Sequence, residues 1–155
     1  MRLSCFRITK RERVAEAFDG EGARLYGGRW NSKGKRVVYT SASKSLAILE
    51  TLVHLDSHEL LAQLFCFIES TFPEQVCEVL DPRTLQSGWD NDIPIGFTQQ
   101  VGDRWLSESR SAVLAVPSVL SPDESNYLLN PEHRDFAKIA MGPPKNFAFS
   151  RRFLK

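Results

Sequence analysis

Apolar residues along the chain fall into short blocks divided by Gly, Pro and charge, and the spacing inside each block separates strands from helices. Leu3 to Ile8, with Leu3, Cys5 and Phe6, reads as a short first strand carrying Arg7 near its end. The β-branched and aromatic run Arg36 to Thr40 predicts a second strand. A helix follows, capped by Ser41 or Ser43 and running to about His54, with Leu46, Ile48, Leu49, Leu52, Val53 and Leu55 covering roughly half its circumference. At 100° per residue Glu50 lies about 40° from Leu46 and about 60° from Val53, on the border of the apolar face. Asp56 and Glu59 have capping-box spacing for a short further helix.

Leu64 to Thr71 and Val76 to Leu80, divided by Pro73, predict two more strands. Asp81 to Gly96 reads as a long irregular connection with Trp89 anchored in it, and Phe97 to Ser109 as a helix. Ala112 to Val116 is continuously apolar and stops at Pro117, the pattern of an interior strand, with Ser118 immediately beyond it. Ser121 to Pro131 reads as polar and turn-rich, His133 to Met141 as a last short helix, and Lys145 to Phe153, through Phe147, Phe149 and Phe153, as a closing strand. With no repeat, low-complexity tract or interdomain linker, residues 1–155 are expected to form one domain, α+β or mixed α/β.

Composition narrows the function. A net charge of +1 argues against direct binding of a long nucleic acid, which needs a clearly basic face. Cys5, Cys66 and Cys77 are odd in number and lack CxxC spacing, so neither a disulfide framework nor a zinc cage is expected, and no metal. No apolar run has the length of a signal peptide's core or a membrane span, which gives an expected cytoplasmic location.

The segment Gly20 to Glu50 concentrates the candidate chemistry. Gly20, Gly22, Gly27 and Gly28 mark a loop containing Arg24 and Arg29. A guanidinium held there suits a phosphate or carboxylate, although a surface Arg in a loop has the same local sequence. The loop is neither a Walker A sequence nor a dinucleotide fingerprint in its strand-to-helix setting. Trp30 and Tyr39 are candidate stacking partners for a cationic ring or, equally, core aromatics. Glu50 is placed to stabilise developing positive charge or to sit as an ordinary helix-surface carboxylate. Ser118 is a candidate hydrogen-bond donor, with no GxSxG elbow around it. His54 and His58 have i, i+4 spacing but no HExxH pattern, and His133 reads as a capping or packing residue.

Taken together, six segments resemble the RES domain family, named for its Arg, Glu and Ser residues. They are PheArgIle at 6–8, GlyGlyArgTrpAsn at 27–31, ValValTyrThr at 37–40, SerLeuAlaIleLeuGluThrLeuValHis at 45–54, AlaValLeuAlaValProSer at 112–118 and AsnTyrLeuLeuAsnProGluHis at 126–133. The resemblance implies a single compact α+β domain similar to the catalytic fold of ADP-ribosyltransferase toxins, with central mixed β-sheets and flanking helices. It implies the toxin of a bacterial toxin–antitoxin pair that consumes NAD by cleaving the nicotinamide–ribose bond, with water or inorganic phosphate as acceptor. The alternatives are ADP-ribosylation of a specific protein and, from another class, a non-catalytic nucleotide-binding module. The implied partner is a cognate Xre-like antitoxin covering the active site, and no cofactor is implied beyond NAD as substrate. Carried onto this chain, the motifs make Arg7 and Arg29 anion grips, Tyr39 the ring partner, Glu50 the catalytic carboxylate and Ser118 the polar residue opposite. Arg29 and Tyr39 join Glu50 in the expected catalytic set, and Asn126 and Asn130 join the expected substrate-binding set.

Overall fold

The computed structural model of the chain describes residues 1–55, 59–94, 96–147 and 152, with the backbone alone at 59–61. The expected helix start at Asp56, the His58 half of the His54/His58 pair, and Phe149 and Phe153 of the expected closing strand lie outside these described residues.

Seven strands form one mixed sheet: β1 (Arg2–Lys10), β2 (Val38–Ser41), β3 (Phe65–Pro73), β4 (Cys77–Val79), β5 (Val113–Pro117), β6 (Ser125–Leu129) and β7 (Ala140–Asn146), in the order β4-β5-β6-β2-β1-β3-β7. Among the strand pairs of the described residues only β4 and β5 run parallel. Among the described residues four α-helices accompany the sheet: α1 (Glu21–Tyr26), α2 (Lys44–Leu52), α3 (Glu59–Leu64) and α4 (Phe97–Ser107). This is the α+β class expected from the sequence. No helix among the described residues is long and apolar enough to cross a membrane.

Strand pairing divides the sheet at one seam. β1 pairs with β3 along its whole length, from Arg2↔Pro73 to Lys10↔Phe65, but meets β2 only at Phe6↔Ser41. On the other side of that seam β2 pairs continuously with β6, and β6 with β5. Period-two alternation then sorts the side chains. Val38, Val113 and Leu129 face a cluster with Cys5, Phe72 and Ile139. Leu114, Val116 and Leu128 face a second cluster with Trp30, Val37 and Trp105. Every residue of β5 is buried, because clusters cover both its faces, as its continuous apolar run anticipated.

Several boundaries differ from the sequence reading. The Gly-rich loop is interrupted by α1, which Gly20 (φ 73°) and Gly27 (φ 71°) bracket in left-handed conformations. Ser121 to Pro131 is not all turn: β6 lies inside it, its apolar residues confined to the Tyr127–Leu129 end and its polar end given to Asn126. His133 to Met141 contains only the 3-10 turn Arg134–Lys138 before β7 begins at Ala140. The closing strand therefore precedes its expected position and includes Pro143 and Pro144, which β7 accommodates as an edge strand. At α2 the choice between two serines is resolved: Ser43 Oγ accepts from the Leu46 amide at 3.1 Å, and the helix ends at Leu52, before His54.

Candidate active site

The Gly27–Ser32 segment is held from below by α4. Thr98 Oγ1 donates to the Arg29 carbonyl at 2.6 Å, Gln99 Nε2 to the Gly28 carbonyl at 2.9 Å, and Asp103 accepts from both the amide and the hydroxyl of Ser32. The helix comes so close that a Cβ at Gly102 would lie 1.7 Å from the Trp30 carbonyl oxygen. Asn31 fixes the segment from within. Fully buried, it donates through Nδ2 to the carbonyls of Ala23, Ser32 and Lys35 and accepts the Tyr39 hydroxyl at 2.6 Å. The same hydroxyl accepts the Trp30 amide at 3.1 Å, and a Cβ at Gly28 would meet it at 2.6 Å, so glycine is required there for close approach.

Arg29, rigidly based in this way, donates from Nη1 to the Trp89 carbonyl and from Nη2 to the Asn91 carbonyl, each at 2.7 Å. It thereby ties the long Asp81–Gly96 connection to the loop, and the expected anchoring of Trp89 appears as its packing on Trp30, ring centroids 6.2 Å apart. Trp30 itself is a core residue, 3% exposed. Arg7 donates to the Ala17 carbonyl at 3.2 Å and the Tyr39 carbonyl at 3.1 Å. Burial draws its guanidinium below the ordinary value, and the nearby Asp19 charge opposes that shift. Burial pushes the Tyr39 phenol up, so it stays a neutral donor in its contact with Asn31.

Glu50, half-buried on α2, completes the arrangement. Its Oε1 accepts from Ser118 Oγ at 2.7 Å and from Asn126 Nδ2 at 2.8 Å, while Oε2 has no hydrogen-bond partner among the described residues. Ser118 is fully buried, and its Oγ also accepts the amides of Leu120 and Ser121, both at 3.2 Å. It therefore stands behind the carboxylate rather than opposite it.

Arg7, Arg29, Tyr39, Glu50 and Asn126 all line one cavity of about 1010 Å³. Arg7, Tyr39, Glu50 and Asn126 also line an adjoining cavity of about 360 Å³, so the carboxylate lies where the two spaces meet. The larger volume is at the upper end for small-molecule sites and suits a dinucleotide better than a fragment. Asn130 does not join these residues: it is buried, its Oδ1 accepts the Glu132 amide, and its own amide bonds to Ala112. Among the described residues no three His, Cys, Asp or Glu side chains are grouped to hold a metal ion.

The model of the RES domain family matches residues 4–150. The chain belongs to the RES family. Its relatives include a protein named Toxin Res from Photorhabdus laumondii, 42% identical over 133 residues that cover 86% of this chain and 85% of the relative. A Toxin Res from Yersinia enterocolitica is 38% identical over 151 residues, covering 97% of this chain and 99% of the relative. A protein named Prs ADP-ribosylating toxin from Sphingobium is 37% identical over 160 residues, covering 100% and 99%. The fold is shared with a chain of the crystal structure of the Mycobacterium tuberculosis MbcT–MbcA toxin–antitoxin complex, at a TM-score of 0.77 and 18% identity, over 95% of this chain and 85% of that one.

In this RES chain five participating residues escaped the sequence reading. Asn31 was quoted within the GlyGlyArgTrpAsn motif but given no task, although a polar residue that close to a Gly pair is a loop-fixing candidate. Thr98, Gln99 and Asp103 lie on a helix that carried no chemical signal of its own. Arg13, at the kink in the 3-10 segment Arg11–Glu16, lines the large cavity and has no ion-pair or hydrogen-bond partner among the described residues.

Proposed function

We propose that this chain is the toxin of a toxin–antitoxin pair and that it consumes NAD by cleaving the nicotinamide–ribose bond. The observation that carries the reading is Glu50 at the junction of the two cavities, one oxygen held by Ser118 and Asn126, in a space also walled by Arg7, Arg29 and Tyr39. The relatives named Toxin Res support the toxin role.

The chemistry needs few groups. As the C–N bond breaks, its electron pair neutralises the pyridinium nitrogen, so nicotinamide departs without an acid to protonate it. Positive charge grows on the ribose carbon, and a single carboxylate with a fixed orientation stabilises it. Ordinary glycoside hydrolysis, by contrast, commonly uses two carboxylates. The guanidinium groups of Arg7, Arg13 and Arg29 are the cations of the cavity wall available to a diphosphate. Tyr39 offers its ring, since its hydroxyl is engaged by Asn31 and Trp30.

A second reading, transfer of ADP-ribose to a protein, is favoured by the Sphingobium relative, whose name describes that activity and whose match spans the whole chain. Around the cavity mouth Leu25, Tyr26, Val53 and Leu120 are exposed apolar side chains, an inexpensive surface for a covering antitoxin segment. Incubating the purified protein with NAD, with and without phosphate, separates the cases. Nicotinamide with ADP-ribose indicates hydrolysis, and nicotinamide with ADP-ribose-1″-phosphate indicates phosphorolysis. A labelled protein in lysate indicates transfer. Glu50→Gln is expected to lower turnover by at least ~100-fold with an unchanged melting temperature; full turnover by the folded variant refutes the role assigned to Glu50.

A further inference from the structure

The hydrogen bonds behind Glu50 run in one direction. An ionised carboxylate only accepts, so Asn126 must present its Nδ2 to Glu50, and this turns its Oδ1 the opposite way. Ser41 Oγ lies 2.8 Å from that Oδ1 and donates to it. Ser41 is 4% exposed and directly opposite Asn126 in the β2–β6 register. It is also the residue through which β2 meets Phe6 of β1, so its position is fixed by strands from both halves of the sheet.

We propose, resting on the NAD-cleaving reading, that Ser41 is a positioning residue whose hydroxyl anchors the far end of the Asn126 amide and so steadies the group that holds Glu50. A primary amide is nearly symmetric in shape, and packing alone does not distinguish its nitrogen from its oxygen. The Glu50 carboxylate, which only accepts, makes that distinction, and the Ser41 hydroxyl then holds the opposite end of the amide. With Ser41 in place the amide is pinned at both ends. Without Ser41 it keeps its bond to Glu50 alone and moves more freely. Ser118 does not replace it, because Ser118 reaches Oε1 independently and takes its own orientation from the Leu120 and Ser121 amides. Outer residues of this kind commonly change activity by about 10–100-fold at metal sites, through the same orienting effect on a ligand that they never replace.

Ser41→Ala removes the hydroxyl with little change of volume, and two measurements decide the matter. The first needs no NAD. The Asn126 side-chain amide, assigned by its disappearance from the nitrogen–proton spectrum of Asn126→Ala, is expected to exchange its protons with solvent at least ~10-fold faster in Ser41→Ala than in the parent. The second is kinetic: Ser41→Ala is expected to lower kcat about 10-fold with KM within about twofold, and to add no further loss on an Asn126→Ala background. Unchanged amide exchange in Ser41→Ala, or losses that add in the double variant, overturn the proposal. A parent protein that leaves NAD intact refutes the assigned reaction instead, and the exchange measurement then still decides whether Ser41 anchors Asn126.

Discussion

Tyr39→Phe tests whether the tyrosine contributes only its ring or holds the site loop in shape. The substitution keeps the ring and removes the hydroxyl that donates to Asn31 Oδ1 at 2.6 Å and accepts from the Trp30 amide at 3.1 Å. Asn31 is fully buried and Trp30 nearly so, so each loses a partner where water does not readily replace it. Leaving a buried polar group unpaired costs about 1–3 kcal/mol, which for two groups sums to about 2–6 kcal/mol. Because Tyr39 is itself half-buried, some hydration offsets the loss, and about 2–4 kcal/mol is the expected destabilisation. For a domain of this size that lowers Tm by roughly 4–16 °C. Urea unfolding followed by far-ultraviolet circular dichroism measures the free energy, and near-ultraviolet dichroism reports the surroundings of Trp30. If Tyr39 matters only as a stacking surface, Tyr39→Phe unfolds at the parent's midpoint. A change below about 0.5 kcal/mol would refute the keystone role of the hydroxyl, because so small a value is typical of surface substitutions.

Further outcomes follow from the same geometry. Gly102→Ala places a methyl 1.7 Å from the Trp30 carbonyl oxygen, so α4 must withdraw from the Gly28–Ser32 segment; we expect a loss above ~3 kcal/mol, read as poor soluble yield or a collapsed urea midpoint, and a parent-like midpoint contradicts the packing. Burial pushes the Cys5 thiol up from 9.0 to about 12. Because the unfolded chain releases this proton first, the contribution is intact below pH 9 and is lost as pH rises towards 12, at about 1.4 kcal/mol per pH unit. Cys5→Ala should therefore show a shallower fall in unfolding free energy between pH 9 and 11, and equal slopes would remove Cys5 from the alkaline transition.

Much of this site was legible in the sequence because local rules fixed it. The glycines of the loop reported a backbone that bends and is closely approached, as the Gly27 φ of 71° and the Gly28–Tyr39 approach bear out. Helical periodicity placed Glu50 at the margin of its apolar face, where the structure has it half-buried. The unbroken apolar run 112–116 announced a strand covered on both sides, and β5 is that strand.

Other features depended on pairing between distant segments. β6 had no clear strand pattern because its polar end carries Asn126, whose value comes from lying opposite Ser41 and beside Glu50. Ser41 and Ser43 were equivalent as cap candidates, and the chain assigned one to the helix and the other to the sheet seam. Nothing in the Asn130 motif distinguished an inward-facing amide from one that caps a turn. Periodicity and backbone preference act over a few residues, so the chain itself could state which faces are apolar and where it must turn. Which donor meets which acceptor across 76 or 85 residues, as for Asn126 with Glu50 and with Ser41, is decided by strand order and register, and these exist only once the sheet is assembled.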